Sequence, residues 1–122
     1  MSGAFSFAGR RVLVVEDEYL IADDLRRALE AEGVCVVGPV PSVDAAMDVL
    51  DAHTPIDVAI LDVNLGGEWA LPVADRLDAR GVPFVFATGY DAWAMPKHYA
   101  RHARCEKPVS LPQLRTVFAR RH

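Results

Sequence analysis

The feature that most constrains this chain is a regular alternation of short apolar runs with segments of helical spacing. Four runs are apolar and rich in β-branched residues, which is typical of strands buried on both faces of a sheet. These runs lie at residues 12–15, 34–37, 58–61 and 82–87. A brief fifth strand is expected at Arg104–Glu106. Strands that alternate with helices predict an α/β fold with a doubly wound parallel sheet.

Four segments carry apolar side chains at helical intervals. The first is predicted at Tyr19–Ala31 and ends before Gly33, where helices favour glycine. Ser42 and Ser110 are candidate N-caps of the second helix and of a last helix at Leu111–Arg120. The stripes of the second and third helices are Val43, Ala46, Met47 and Leu50, and Ala70, Val73, Ala74 and Leu77.

The segment at residues 91–103 departs from this regularity. It contains Pro96, which permits at most a short, late-starting or broken helix. Eighteen residues, 89–106, separate Thr88 from Lys107, which is short for a full helix followed by a strand. We therefore expect the helix of this segment, the fourth of five along the chain, to be shortened or irregular.

Length and charge narrow the functional classes. We expect the 122 residues to form a single domain, 1–122, with a core over about residues 10–120 and no output domain. Thirteen basic against seventeen acidic residues predict no nucleic-acid partner. The longest stretch without a charge is eleven residues, 33–43, whereas a membrane span needs about twenty. We therefore expect no membrane partner. Two cysteines make no disulfide framework, so we expect a cytoplasmic protein.

Ligands of doubly wound sheets bind at the carboxyl ends of the strands. The polar residues at those ends are Glu16, Asp17, Glu18, Asp62, Thr88 and Lys107. Crowded carboxylates repel one another, and a hard cation such as Mg²⁺ relieves the repulsion. A lysine and a threonine suit phosphoryl oxygens, and a carboxylate can be phosphorylated as a nucleophile. Each residue alone has a structural explanation, and for Glu18 we expect a helix cap or a solvated acid. The agreement of four strand ends favours a phosphoryl site with Asp62 as the nucleophile.

Four segments then carry a family resemblance. They are residues 12–18, Val-Leu-Val-Val-Glu-Asp-Glu; residues 57–62, Asp-Val-Ala-Ile-Leu-Asp; residues 86–89, Phe-Ala-Thr-Gly; and residues 106–108, Glu-Lys-Pro. Together they resemble the receiver domain of two-component response regulators over nearly the whole chain. The Phe-Ala-Thr-Gly run is similar to a single-domain bacterial subgroup. The resemblance implies a flavodoxin-like, five-stranded sheet of order 2-1-3-4-5.

The resemblance also implies roles for individual residues. Asp62 would accept a phosphoryl group from a phosphohistidine on a histidine kinase or histidine phosphotransferase. Thr88 and Lys107 would contact the phosphoryl oxygens. The protein would then be a phosphoprotein that phosphorylates and dephosphorylates itself and signals through contacts with a downstream protein, rather than a turnover enzyme.

A Mg²⁺ site is implied by the same resemblance. Asp17 and Asp62 would ligate the ion directly, and Glu16 would act largely through water. The backbone carbonyl of Asn64 would be the third protein ligand.

Three departures from the family pattern accompany the resemblance. The proline that usually follows the phosphoacceptor is missing, and the run Asn-Leu-Gly-Gly-Glu at residues 64–68 stands in its place. Three residues before Lys107, Arg104 replaces the aromatic residue that usually swings inward on activation, the switch aromatic. The segment before Arg104 is short and holds four large side chains, which patch the core or form a partner surface: Tyr90, Trp93, Met95 and Tyr99. We expect phosphorylation to order or reposition residues 90–103.

Cys35 and Cys105 are predicted to lie on opposite sheet edges and to stay unpaired.

Other functions stay open at this point. The chemistry of an aspartyl-phosphate also serves small-molecule phosphatases and phosphotransferases. Asn64 disfavours such an enzyme, because no acid follows Asp62 by two residues to act as the general acid. A receiver-like adaptor that takes up no phosphate is disfavoured by the complete pocket. A receiver fragment of a larger regulator or hybrid kinase is a further alternative.

Overall fold

A five-stranded parallel sheet orders the structure, a computed structural model that describes residues 6–89, 97 and 102–120. The strands are β1 Arg11–Val15, β2 Cys35–Val40, β3 Val58–Asp62, β4 Asn64–Leu65, β5 Glu68–Trp69, β6 Phe84–Thr88 and β7 Arg104–Glu106. The helices are α1 Tyr19–Ala31, α2 Val43–Asp51, α3 Leu71–Ala79 and α4 Leu111–Arg120. Strands β4 and β5 form a separate antiparallel hairpin.

The large sheet has the order β2-β1-β3-β6-β7. The labels β4 and β5 belong to the hairpin. When only the five strands of the large sheet are counted along the chain, the order is 2-1-3-4-5, as the resemblance implies. Strands β2 and β7 are therefore the two edges of the sheet. Cys35 and Cys105 lie on these strands and both are free thiols, as expected.

The sheet separates two apolar clusters, because successive strand residues point to opposite faces. Leu13 and Val15 join the cluster under α2 and α3, whereas Val12 and Val14 join the cluster that includes residues of α1 and α4. All five residues of the central strand β3 are buried. Since each fully buried aliphatic side chain contributes about 1.5–3 kcal/mol, this two-sided core holds the strand ends in place.

Two of the predicted helix caps are present. The Ser42 hydroxyl accepts a hydrogen bond from the Ala45 amide at 3.1 Å. Ser110 and Gln113 form a reciprocal pair, in which the Gln113 side chain accepts from the Ser110 amide at 3.0 Å and the Ser110 hydroxyl accepts from the Gln113 amide at 3.4 Å. Glu18 occupies the N-cap position of α1, but its side chain makes no capping hydrogen bond.

Several strand boundaries differ from the sequence prediction by one to three residues. Strand β2, predicted at residues 34–37, continues through Gly38 and Pro39 to Val40, because an edge strand tolerates a residue without an amide hydrogen. Strand β6 begins at Phe84 rather than at residue 82. Gly66 and Gly67, within the run that replaces the usual proline, form the turn of the β4–β5 hairpin.

The expected irregular helix at residues 91–103 lies almost wholly outside the described residues, together with Tyr90, Trp93, Met95 and Tyr99. Strand β7 does follow this segment, as predicted. Among the helices of the described ranges, none has the length and apolar character needed to cross a membrane.

Candidate functional site

Three carboxylates meet where the central strands end. Glu16 and Asp17 follow β1, and Asp62 is the last residue of β3, which pairs with β1 in parallel. One oxygen from each of the three side chains lies within 4.8 Å of the other two. Glu16 and Asp62 are buried, whereas Asp17 is exposed. The parallel pairing therefore produces the acidic cluster that the sequence predicts.

The donor set of this cluster fits a hard divalent cation. All three side chains offer oxygen, which is the ligand type that Mg²⁺ prefers, and Mg²⁺ usually retains several waters. The exposure of Asp17 leaves one side of the cluster open to solvent. The cluster can thus hold a cation whose remaining positions take water or phosphate oxygens.

Lys107 supplies the positive charge of the site. Its ammonium nitrogen lies 2.8 Å from Asp62 Oδ2 and 3.2 Å from Glu16 Oε1, so it bridges the two buried carboxylates. Burial by itself lowers the pKa of Lys107, but hydrogen bonds and charge attraction from Asp62 and Glu16 outweigh that effect and raise the pKa. Lys107 is therefore a fixed cation beside the proposed nucleophile.

Glu16 is the carboxylate whose protonation the site perturbs. Burial, followed by a hydrogen bond and charge repulsion from Asp62, raises the pKa of Glu16 to about 7. The Glu18 amide, 3.1 Å from Glu16 Oε2, and the charge of Lys107 oppose this rise. Near neutral pH the side chain is therefore divided between its two protonation states.

Thr88 ends β6 at the same edge and is buried. Its hydroxyl donates a long hydrogen bond of 3.4 Å to the backbone carbonyl of Cys105 in β7. The structure thus places Thr88 at the predicted strand end, with its hydroxyl committed to the neighbouring strand.

Asn64 lies at the start of the β4–β5 hairpin, next to the acidic cluster. Its backbone amide donates to Asp62 Oδ1 at 3.2 Å, and its side-chain oxygen accepts from the Gly67 amide at 2.7 Å. Sequence reasoning missed this hairpin. The signal for it is Gly66-Gly67 between two short runs, because both glycines adopt positive φ, 62° and 95°, as a two-residue hairpin turn requires.

The position of the usual switch aromatic is occupied by an exposed residue. Arg104 pairs in register with Phe86, and its side chain points to solvent, as does that of Glu106. A different ring fills the core nearby: His102 is buried against Phe84 and Phe86, with ring centroids 4.9 and 5.9 Å away. Nε2 of His102 also lies 3.4 Å from a carboxylate oxygen of Asp78 on α3.

An apolar groove adjoins the site, and the sequence analysis did not identify it. Its volume is about 540 Å³, and it extends from Asp62 and Lys107 to residues of α1 and α4 such as Leu25 and Leu111. Tyr19 and Leu20 stand beside the site at the start of α1, 78% and 76% exposed. Ile21, which follows them and lines the groove, is 38% exposed, and clustered exposed apolar side chains are typical of a protein-interaction surface.

Comparisons with known proteins agree with this geometry. The family model described as the response regulator receiver domain matches residues 12–118. Sensory transduction protein LytT of Bacillus subtilis is 35% identical over 88 residues, which cover 70% of this chain and 36% of that protein. Transcriptional regulatory protein PdtaR of Mycobacterium tuberculosis is 33% identical over 109 residues, covering 86% of this chain and 53% of that protein. The chain therefore spans between about a third and a half of the length of these curated relatives.

Solved structures match over nearly the full chain. The solution structure of SdrG from Sphingomonas melonis Fr1 is 38% identical, with a TM-score of 0.77 and coverage of 98% of this chain and 97% of that one. The BeF3-activated conformation of SdrG is 40% identical, with a TM-score of 0.74 and coverage of 92% and 95%. A CheY-like receiver domain from Methylobacillus flagellatus, at 21% identity and a TM-score of 0.75, shares the fold over 93% of this chain and 98% of its own.

Proposed function

The chain belongs to the response regulator receiver family, the phosphoacceptor domains of two-component systems, and from that membership we propose which residues carry its phosphoryl chemistry. Asp62 is the phosphoacceptor. The observation that carries this assignment is the position of its carboxylate, buried at the end of β3, bridged to Glu16 by Lys107, and within cation-sharing distance of Asp17.

The reaction is an in-line transfer from a phosphohistidine to Asp62. A carboxylate oxygen of Asp62 forms a bond to phosphorus while the bond from phosphorus to the imidazole nitrogen breaks, and the imidazole keeps the electron pair and takes up a proton. The product is an acyl phosphate on Asp62. Lys107, already 2.8 Å from this carboxylate, is placed to neutralise the charge of the incoming phosphoryl oxygens.

Mg²⁺ is the cofactor that the acidic cluster suits. Asp17 and Asp62 would be the direct side-chain ligands, Glu16 would act largely through water, and the Asn64 carbonyl would complete the protein set. When bound, the ion shields the carboxylates from one another and holds a phosphoryl oxygen. Because Lys107 contacts both Asp62 and Glu16 before the reaction, it would be able to follow a phosphoryl group added to Asp62.

Thr88 registers the phosphoryl group. Its present hydrogen bond to the Cys105 carbonyl is long, at 3.4 Å, so a charged phosphoryl oxygen is the better acceptor. Rotation of the hydroxyl toward Asp62 would release the β7 carbonyl one residue after Arg104. This assigns β7 and the segment that precedes it to the response.

The phosphodonor is a protein, either a histidine kinase or a histidine phosphotransferase. The exposed side chains of Tyr19 and Leu20 at the start of α1, together with the apolar groove that Asp62 lines, offer a binding surface to such a partner. A phosphatase acting on small molecules is disfavoured, because Asn64 occupies the position of a general acid and its side-chain oxygen is bonded within the hairpin.

Phosphorylation with a small donor tests the assignment. The native chain with acetyl phosphate and Mg²⁺ should gain the mass of one phosphoryl group, measured on the intact protein. Asp62→Ala should gain none. Asp48→Ala, which removes an exposed aspartate from α2, is the matched control and should react like the native chain. Phosphorylation of Asp62→Ala at the native rate would overturn the proposal.

A further inference from the structure

The β4–β5 hairpin takes the place of the proline-containing loop that is usual in the family, and Asn64 links it to the acidic cluster. The Asn64 amide donates to Asp62 Oδ1 at 3.2 Å. The same peptide segment carries the carbonyl that serves as the backbone metal ligand under the proposed function. One backbone segment thus contacts the nucleophile and supplies a ligand, so its orientation affects both.

The Asn64 side chain is bound to the hairpin turn. Its Oδ1 accepts from the Gly67 amide at 2.7 Å, across a turn in which Gly66 and Gly67 have φ values of 62° and 95°. Asparagine side chains stabilise turns in this way by replacing a backbone acceptor. The side chain therefore fixes its own backbone relative to the turn.

The hairpin is anchored in the protein core at its other side. Leu65 is buried in the cluster under α2 and α3, and Trp69 packs against that cluster. At the base of the hairpin, the Ala70 amide donates to the Val63 carbonyl at 2.9 Å. The hydrogen bond from the Gly67 amide to the Asn64 side chain thus ties Asn64 to a hairpin that is itself packed against the core.

The tip of the hairpin also approaches the exposed ligand of the cluster. A Cβ atom placed on Gly66 would lie 3.7 Å from Asp17 Oδ2, whereas one placed on Gly67 would meet nothing within 4 Å. The hairpin therefore adjoins both Asp62 and Asp17.

From these contacts we propose that the Asn64 side chain is a positioning residue for the divalent-cation site. It holds the hairpin turn and so orients the Asn64 backbone, whose amide contacts Asp62 and whose carbonyl would ligate the cation. The inference rests on the proposed function, because it requires Mg²⁺ to bind at the Asp62 cluster.

Mg²⁺ binding to the unphosphorylated full chain tests this role, with calorimetric titration of Mg²⁺ alone. Asn64→Ala removes the acceptor and should weaken Mg²⁺ binding roughly threefold to tenfold, the loss expected for one hydrogen bond. Asn64→Ser, a weaker turn acceptor, should fall between the native chain and Asn64→Ala. Asn64→Asp keeps the acceptor and should bind at least as tightly as the native chain. Glu68→Ala, on the exposed side of β5, is the hairpin control and should not change the affinity.

The order of affinities separates the alternatives. If Asn64→Ser and Asn64→Ala bind Mg²⁺ like the native chain while Asn64→Asp binds more tightly, only charge matters and the inference is overturned. A lower melting temperature of Asn64→Ala with native Mg²⁺ affinity means a purely structural role and also overturns it. If Asn64→Ala does not fold, the Ser and Asp variants decide by the same order. Failure of the proposed function is distinct, because then the native chain itself would bind no Mg²⁺ or Asp62→Ala would still be phosphorylated.

Discussion

Lys107 Nζ lies 2.8 Å from Asp62 Oδ2, and this contact joins the last residue of β3 to the residue that follows β7. Strand β6 separates those two strands in the sheet, so the contact crosses one strand. The lysine thereby contacts Oδ2 of the carboxylate, whose Oδ1 accepts from the Asn64 amide. Lys107 therefore partly neutralises the charge of Asp62 and Glu16 in the structure itself.

Replacement of Asp17 by Asn should weaken Mg²⁺ binding and phosphorylation together. The change removes one anionic oxygen from a cluster whose three oxygens lie within 4.8 Å, but it keeps the size of the side chain. We expect a loss of Mg²⁺ affinity of at least about tenfold, since a direct charge–charge contact is worth more than one neutral hydrogen bond. Calorimetric titration measures the affinity, and an unchanged value would refute the assignment of Asp17 as a ligand.

Replacement of Lys107 by Met should change Mg²⁺ affinity and the rate of phosphorylation in opposite directions. Removal of a positive charge that contacts two of the acidic groups should tighten Mg²⁺ binding, because the lysine competes with the ion for Asp62 and Glu16. Phosphorylation by acetyl phosphate should nevertheless become slower, because the phosphoryl oxygens lose a charged partner. Mg²⁺ titration and intact mass measure the two effects. Weaker Mg²⁺ binding in this variant would contradict the competition.

The raised pKa of Glu16 predicts a pH dependence of stability in the absence of Mg²⁺. The folded protein keeps the Glu16 proton up to about pH 7, whereas the unfolded chain releases it near the ordinary value of 4.5. The stabilisation is therefore complete below about pH 4.5 and is lost as the pH rises through 7, with a size of at most about 3 kcal/mol. Urea unfolding of the native chain and of Glu16→Gln, from pH 4.5 to 8, measures it as the difference between the two curves.

Mg²⁺ provides the internal control for that experiment. The ion favours the ionised carboxylate, so saturating Mg²⁺ should stabilise the native chain more at pH 8 than at pH 5. Parallel curves for the native chain and Glu16→Gln in the absence of Mg²⁺ would show that Glu16 does not titrate in this window.

Hydrogen exchange should reveal the response of β7 and of the segment before it. The Thr88 hydroxyl donates to the Cys105 carbonyl. If it donated to a phosphoryl oxygen instead, the side-chain contact between β6 and β7 would be lost. With a beryllofluoride mimic on Asp62, we expect changed amide protection in residues 90–106. Thr88→Val, which keeps the shape and removes the hydroxyl, should lose this change. Identical protection with and without the mimic, while Asp62 is occupied, would refute the coupling.

Most of the fold was predictable because its signals are local. β-branched runs such as residues 12–15 and 58–61 specify strands, and helix α1 has the bounds that its apolar spacing predicts. The boundary at Gly38 was not predictable in the same way. Glycine and proline indicate a turn by themselves, and only the position of β2 at a sheet edge allows the strand to continue through them.

The positions of the site residues were determined by the sequence alone. Asp17, Asp62, Thr88 and Lys107 follow or end strands, and parallel strands bring their carboxyl ends to one edge of the sheet whatever the details of packing. Their convergence is therefore a consequence of chain order and strand periodicity.

The orientation of those side chains was decided only by the tertiary structure. Lys107 bridges Asp62 and Glu16, Thr88 donates to β7, and Asn64 binds the turn of a hairpin. Each of these contacts joins groups whose separation depends on how elements pack, and each competes with other partners of similar strength. Strand periodicity places a Cα atom at a sheet edge, but the choice among hydrogen-bond partners is a difference of about 1 kcal/mol that depends on burial and on neighbours distant in the chain.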